Sequence, residues 1–161
     1  MSGIHFKCEL KSTLSSPEIR DRFLDLSQWP SFTGWGPIPG IQSARYTQQT
    51  ESTLGSVILV QNSDGSSHQE EIIEWVQVSP NHFRFVIRLN RFTGLIRLLA
   101  PEFIESWEIK EDRNDRGASI TRSFELIGFG FVSRFFLRFL IAPLFKKAIQ
   151  SHLEQSMQAP D

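Results

Sequence analysis

Glu70, Glu71 and Glu74 fall close together on a stretch that also carries His68, and Glu105 stands among the apolar residues Phe103, Trp107 and Ile109. A carboxylate beside an imidazole, held away from water, can give and take protons, as an aldol cyclisation or a dehydration needs. Glu70, Glu71, Glu105 and His68 are therefore the candidate catalytic residues. Alternation along the stretch sets His68, Glu70, Ile72, Glu74 and Val76 on one face and Glu71, Ile73 and Trp75 on the other. Both faces remain open as the inner one, and a solvated outer face is the commoner home for several acids.

A second constellation is Arg134 with Arg138. Four residues apart on a helix, they share a face, and two guanidinium forks there suit a carboxylate or phosphate head group in an otherwise apolar site. The alternative is that their stems lie along apolar surface with the charges in water. A third set is aromatic: Trp35, Trp75, Trp107, Phe83, Phe85 and Phe103, with Phe135 on the helix, are candidate ligand contacts, because small-molecule sites are walled mainly by apolar rings. The simpler reading of most of them is core. Fourteen Phe and four Trp stand against one Tyr and two Met, enough rings to serve both purposes.

Other chemistries find little support. His5, His68, His82 and His152 are far apart in sequence and Cys8 is the only cysteine, so neither a metal site, nor a disulfide, nor a bound cofactor is expected. Gly34, Gly36 and Gly40 lack the preceding strand that a phosphate-binding loop requires, and the run instead reads as shaping a cavity entrance. There is no Gly-X-Ser-X-Gly elbow. A formal net charge of −1 argues against nucleic acid as partner. The opening residues MSGIHFKCELK lack the apolar run of a secretory signal, which predicts a cytoplasmic protein.

The elements that must position these residues follow from periodicity. Ile4 to Leu14 alternates as a strand. Ser16 as cap, Pro17 and Glu18 then start a helix carrying Ile19, Phe23 and Leu26, and a second short helix or turn follows through Trp29 and Phe32. Ala44–Gln49, Ser56–Asn62, His68–Val78, His82–Leu89, Pro101–Lys110 and Ala118–Ile127 read as strands, with turns at Asn62–Gly65 and Glu111–Gly117. Phe92 to Leu99 is either a continuation of its strand or a flap. On the last strand Ile120, Arg122, Phe124 and Leu126 share a face.

The chain is organised around its final stretch, Phe131 to about Met157, the one long segment with helical spacing. After Pro143, Leu144, Phe145, Ala148, Ile149 and Leu153 form an apolar arc; before it the segment is apolar nearly all round. Pro143 removes a backbone hydrogen bond and bends the helix. Extending the later phase back across the proline points Arg134 and Arg138 toward the core. The fold class is α+β in a single domain spanning all 161 residues: a curved seven-stranded antiparallel sheet wrapped around a long C-terminal helix, with two short helices after the first strand.

Three features make the sequence resemble the START-like, helix-grip superfamily (SRPBCC), in its polyketide cyclase/dehydrase and lipid-transport branch. SSPEIRDRFLDLSQWPSF looks like that family's opening block. GWGPIPGI followed by GSVILVQNSDGSSHQEEI is similar to its Gly-Pro loop, Gly-led strand and Asp-Gly-Ser turn, with Asp64, Gly65, Ser66, Glu70 and Ile72 at the matching positions. Strand order and the single long helix extend the likeness over essentially the whole chain. It departs early in the Gly-led strand, where members of the branch carry Arg and this chain has Ser56, Val57 and Ile58. The resemblance implies a deep cavity between sheet and helix holding a lipid, sterol, polyketide or other hydrophobic molecule.

The primary expectation is thus a binding or transport protein for a hydrophobic small molecule. A cyclase or dehydratase is the alternative and requires the acids to face the cavity. The third reading is contact of the Phe-rich helix with a membrane surface or a partner, with the basic residues meeting anionic head groups.

Overall fold

The computed structural model describes residues 3–114 and 116–159. The chain runs β1 (Ile4–Ser12), α1 (Ser16–Leu24), a 3-10 turn (Leu26–Ser31), β2 (Gly34–Trp35), β3 (Ile38–Pro39), β4 (Ile41–Gln48), β5 (Val57–Asn62), β6 (Ser67–Ser79), β7 (His82–Asn90), α2 (Ile96–Leu99), β8 (Glu102–Glu111), β9 (Ala118–Ile127), α3 (Phe131–Phe136), a π-helical turn (Leu137–Ile141) and α4 (Ala142–Ser156). Seven strands form one antiparallel sheet in the order β1-β9-β8-β7-β6-β5-β4. The first strand therefore closes one edge, and α1, the 3-10 turn and the small β2–β3 hairpin carry the chain across to the other.

Local chemistry sets these elements. Helix α1 begins with a capping box: Ser15 accepts from the Glu18 amide, while its own amide donates to Glu18 Oε2 at 2.8 Å. The cap is thus Ser15 and not Ser16, because Ser15 is the serine three residues before Glu18. Those hydrogen bonds from the Ser15 backbone and side chain hold the Glu18 carboxyl below its ordinary range. The GWGPIPGI run is more regular than expected, since Gly34 and Trp35 pair with Pro39 and Ile38 as a hairpin against α4. Gly34 sits at φ +75°, and an added Cβ would lie 2.1 Å from the Ile38 carbonyl oxygen. Gly34→Ala is expected to cost about 1–3 kcal/mol in urea unfolding; Gly36→Ala, with no atom within 4 Å of its added carbon, should cost less.

Phe92 to Leu99 does not continue its strand and folds as a separate segment. It leaves β7 through Arg91 and Gly94, both at positive φ, and closes in the single turn of α2.

The C-terminal helix is continuous but changes geometry in the middle. Pro143 has no N–H to give the Phe139 carbonyl, and the turn before it widens: the Ala142 amide donates to Leu137, five residues back. One extra residue per turn rotates everything upstream by about 100°. Leu137, fully buried, takes the inward place that an unbroken phase assigns to Arg138, and Arg138 is exposed. Arg134 is half-buried, its stem against Gly128.

Candidate functional site

The face of the sheet that looks at α4 is apolar apart from a band of polar groups. Cross-strand register builds it. Trp107 on β8 faces Arg122 on β9, which faces Cys8 on β1, and Glu105 faces Phe124 one step along. Glu105 and Arg122 are thus diagonal neighbours on one face, within reach of a long side chain. Arg122 Nη2 lies 2.5 Å and Nε 2.7 Å from Glu105 Oε1, and Trp107 Nε1 donates to the same oxygen at 2.6 Å. The guanidinium also lies 4.3 Å from the Trp107 ring centroid and 5.5 Å from that of Phe124. Both charged side chains are buried. Burial pushes the Glu105 carboxyl above its ordinary range; Arg122 opposes the shift and Glu70 adds to it. Cys8, whose thiol meets the Lys146 carbonyl at 3.5 Å, is likewise pushed up by burial.

Two strands away, β6 supplies the rest of the band. His68 Nε2 is 3.1 Å from Glu70 Oε1, and its Nδ1 is 3.4 Å from Asn62 Nδ2. The ring of Phe92 lies 5.8 Å from the imidazole. A β-bulge between Ile72 and Glu74 explains why simple alternation leaves the face of this strand open. Before the bulge His68, Glu70 and Ile72 point inward; after it Trp75 does, packed on Phe23, Phe83 and Phe85. The extra residue exchanges the faces. Glu71 and Glu74 consequently lie outside, paired with Arg88 at 3.5 Å and Arg84 at 2.8 Å.

Of the candidate acid/base residues, Glu70, Glu105 and His68 share the inner face and Glu71 does not. Of the aromatic candidates, Trp75, Trp107, Phe83, Phe85 and Phe103 are inside, whereas Trp35 is 44% exposed beneath Lys147. Phe135 is 53% exposed. Arg122 is the residue that pattern reading placed on the right face but left without a role. Among the described residues no three His, Cys, Asp or Glu side chains converge as a metal ion would need.

The space between sheet and helix is occupied by rings. Phe6 stacks on Phe124 at 4.9 Å and both meet Phe145 of α4; Phe103 meets Phe92 at 4.8 Å; Phe85 stacks on Trp107 at 5.3 Å and meets Phe23 at a tilt at 4.6 Å. The interior between sheet and helix is thus lined by aromatic side chains that touch one another. A depression of about 440 Å³ opens elsewhere, lined largely by residues of the outer sheet face such as His5, Lys7, Ser106 and Ser123.

The architecture matches solved structures from end to end. Norcoclaurine synthase of Thalictrum flavum, solved as a point mutant with a transition-state analogue, aligns with a TM-score of 0.63 and 13% identity over 98% of this chain and 94% of its own. The helix-grip fold is what they share. A major latex-like protein from Panax ginseng aligns at 0.59 and 16%, over 94% and 98%, and a hypothetical protein of Helicobacter pylori at 0.64 and 14%, over 94% and 83%. No family model and no curated protein matches the sequence. At these identities the helix-grip likeness speaks for architecture alone, and function rests on the side chains of this chain.

Proposed function

We propose that this helix-grip protein binds or transports a hydrophobic small molecule between its sheet and its C-terminal helix, with a polar end of the ligand lodged against the inner polar band. The observation that carries this reading is the band itself. Glu105, Arg122, Glu70 and His68 sit on the one face of the sheet where apolar side chains would suffice for folding. Burying charges there is costly compared with an apolar core of the same volume, so a structural role alone does not account for them. The surrounding aromatic rings supply the apolar walls, and a ligand enters by replacing ring-to-ring contacts with its own. A lipid, a sterol and a polyketide-like molecule all fit this chemistry.

Native mass spectrometry of the purified protein, followed by titration of the delipidated protein with a fluorescent fatty acid, tests the reading. The expected result is saturable binding of one molecule per chain, with quenching of the interior Trp75 and Trp107. Binding should survive in Phe135→Asp, whose ring lies outside the interior. Absence of both a retained molecule and saturable binding would overturn the proposal.

A cyclase or dehydratase activity is the second reading, favoured by the 3.1 Å contact between His68 and Glu70 and by the raised Glu105 carboxyl on the same face. Under it, Glu70→Gln abolishes turnover of a polyketide-like substrate, whereas Glu71→Gln, on the outer face, leaves turnover in place.

A further inference from the structure

Helix α3 and the π-helical turn present apolar side chains to solvent with nothing packed over them. Phe131 is 87% exposed, Phe135 53%, Phe139 63% and Phe129 59%; beside them α2, which contacts α3, adds Leu95 at 80% and Leu98 at 64%. The rings of Phe135 and Phe139 touch each other at 4.8 Å instead of reaching inward. The widened turn is what sets them outside, because it rotates this half of the helix away from the phase of α4. Monomeric proteins seldom leave so many large side chains together in water, and such a patch marks an interaction surface.

The charges around the patch identify its partner. From Phe129 to Ile141 the sequence carries Arg134 and Arg138 and no acidic residue, and the α2 region, Arg91 to Pro101, carries Arg91 and Arg97 and none. Arg138 lies 5.7 Å from the Phe139 ring, and Arg97 falls between the two exposed leucines. Exposed Phe and Leu bordered by cations of one sign is the composition of a surface that lies in a lipid headgroup layer, apolar rings in the acyl boundary and guanidinium groups at the phosphates. Among the described residues no helix is long and apolar enough to cross a membrane, so the contact is peripheral.

We infer that α2, α3 and the π-helical turn form a docking surface for an anionic lipid bilayer. A second copy of the chain is a poorer occupant, because pairing two such patches would bring like cations together.

Co-sedimentation of the full chain with phosphatidylcholine vesicles, with and without phosphatidylserine, tests this. Pelleting with the anionic vesicles should exceed that with neutral ones about tenfold and fall as salt screens the head groups. Phe135→Asp combined with Phe139→Asp should abolish it while leaving the circular dichroism spectrum and melting temperature unchanged, since both side chains are exposed. Arg97→Glu combined with Arg138→Glu should remove the preference for anionic vesicles. Failure to pellet with anionic vesicles overturns the inference. So does a homodimer that the double Phe variant dissociates, which would assign the surface to a second copy.

Discussion

Arg122→Met should lower stability by about 3–5 kcal/mol, because it leaves the buried Glu105 carboxylate without its counter-ion. The guanidinium places two nitrogens on a single Glu105 oxygen, and both side chains are less than a tenth exposed. Glu105→Leu strands the opposite charge and should be costly too, though Arg122 keeps its position over the Trp107 and Phe124 rings. The double variant Arg122→Met with Glu105→Leu should recover most of the loss, since replacing both charges by apolar groups leaves nothing unpaired. Urea unfolding of the four proteins measures the cycle. A cost below about 1 kcal/mol for Arg122→Met would mean that water reaches the pair, as at an exposed ion pair. If the double variant is stable yet no longer binds a fatty acid, the pair serves the ligand and not the fold.

His152 is the second large effect, and it is read through pH. Its imidazole is wedged between α4 and the 3-10 turn, with the Phe32 ring edge-on at 5.4 Å, Ser31 Oγ at 3.1 Å from Nε2, and a buried Nδ1 that has no hydrogen-bond partner among the described residues. An unpartnered nitrogen is least costly as a bare acceptor, so Nε2 carries the proton and donates to Ser31. Burial, reinforced by the charge of Arg122, lowers the pKa from 6.5 to about 4. The sign follows directly. The unfolded chain takes up a proton near pH 6.5 and the folded chain does not, so the contribution is complete above 6.5 and is lost as pH falls toward 4. By then the loss reaches about 3 kcal/mol. Glu105 acts in the opposite sense: its raised carboxyl favours the folded state at low pH and loses that advantage as pH rises beyond the ordinary carboxylate range. His152→Gln isolates the histidine, and the difference between its stability profile and that of the parent should flatten above pH 6.5. Equal slopes in the two proteins between pH 6.5 and 4 would show that the imidazole protonates freely in the fold.

The seven strands of the main sheet and the C-terminal helix were legible in the residues, because each depends on neighbours within a few positions; the small β2–β3 hairpin was not. Ile4, Phe6, Cys8 and Leu10 declare a strand by alternation, and Leu144, Phe145, Ala148, Ile149 and Leu153 declare a buried helical face by spacing. The helix start was readable, with its cap placed one residue late, at Ser16 instead of Ser15. That Glu105 belonged with Phe103 and Trp107, and Arg122 with Ile120 and Phe124, was also legible from period alone.

What alternation could not supply is where a period breaks. A single bulged residue in β6 turns Glu70 inward and Glu74 outward, and a single widened turn before Pro143 replaces Arg138 by Leu137 at the core. The bulge has no signature in side-chain type, and Pro143 marks where the helix must adjust without saying that it does so by a widened turn, since each is a backbone adjustment selected by packing against other strands and helices. The meeting of Arg122 with Glu105 likewise needed the register of β8 on β9, which side chains far apart in the chain set together. The sequence by itself determined which residues are apolar, which are charged and how each segment repeats. Only the tertiary structure decided which charges face one another inside and which phenylalanines are left in water, because both depend on contacts between elements that no local pattern encodes.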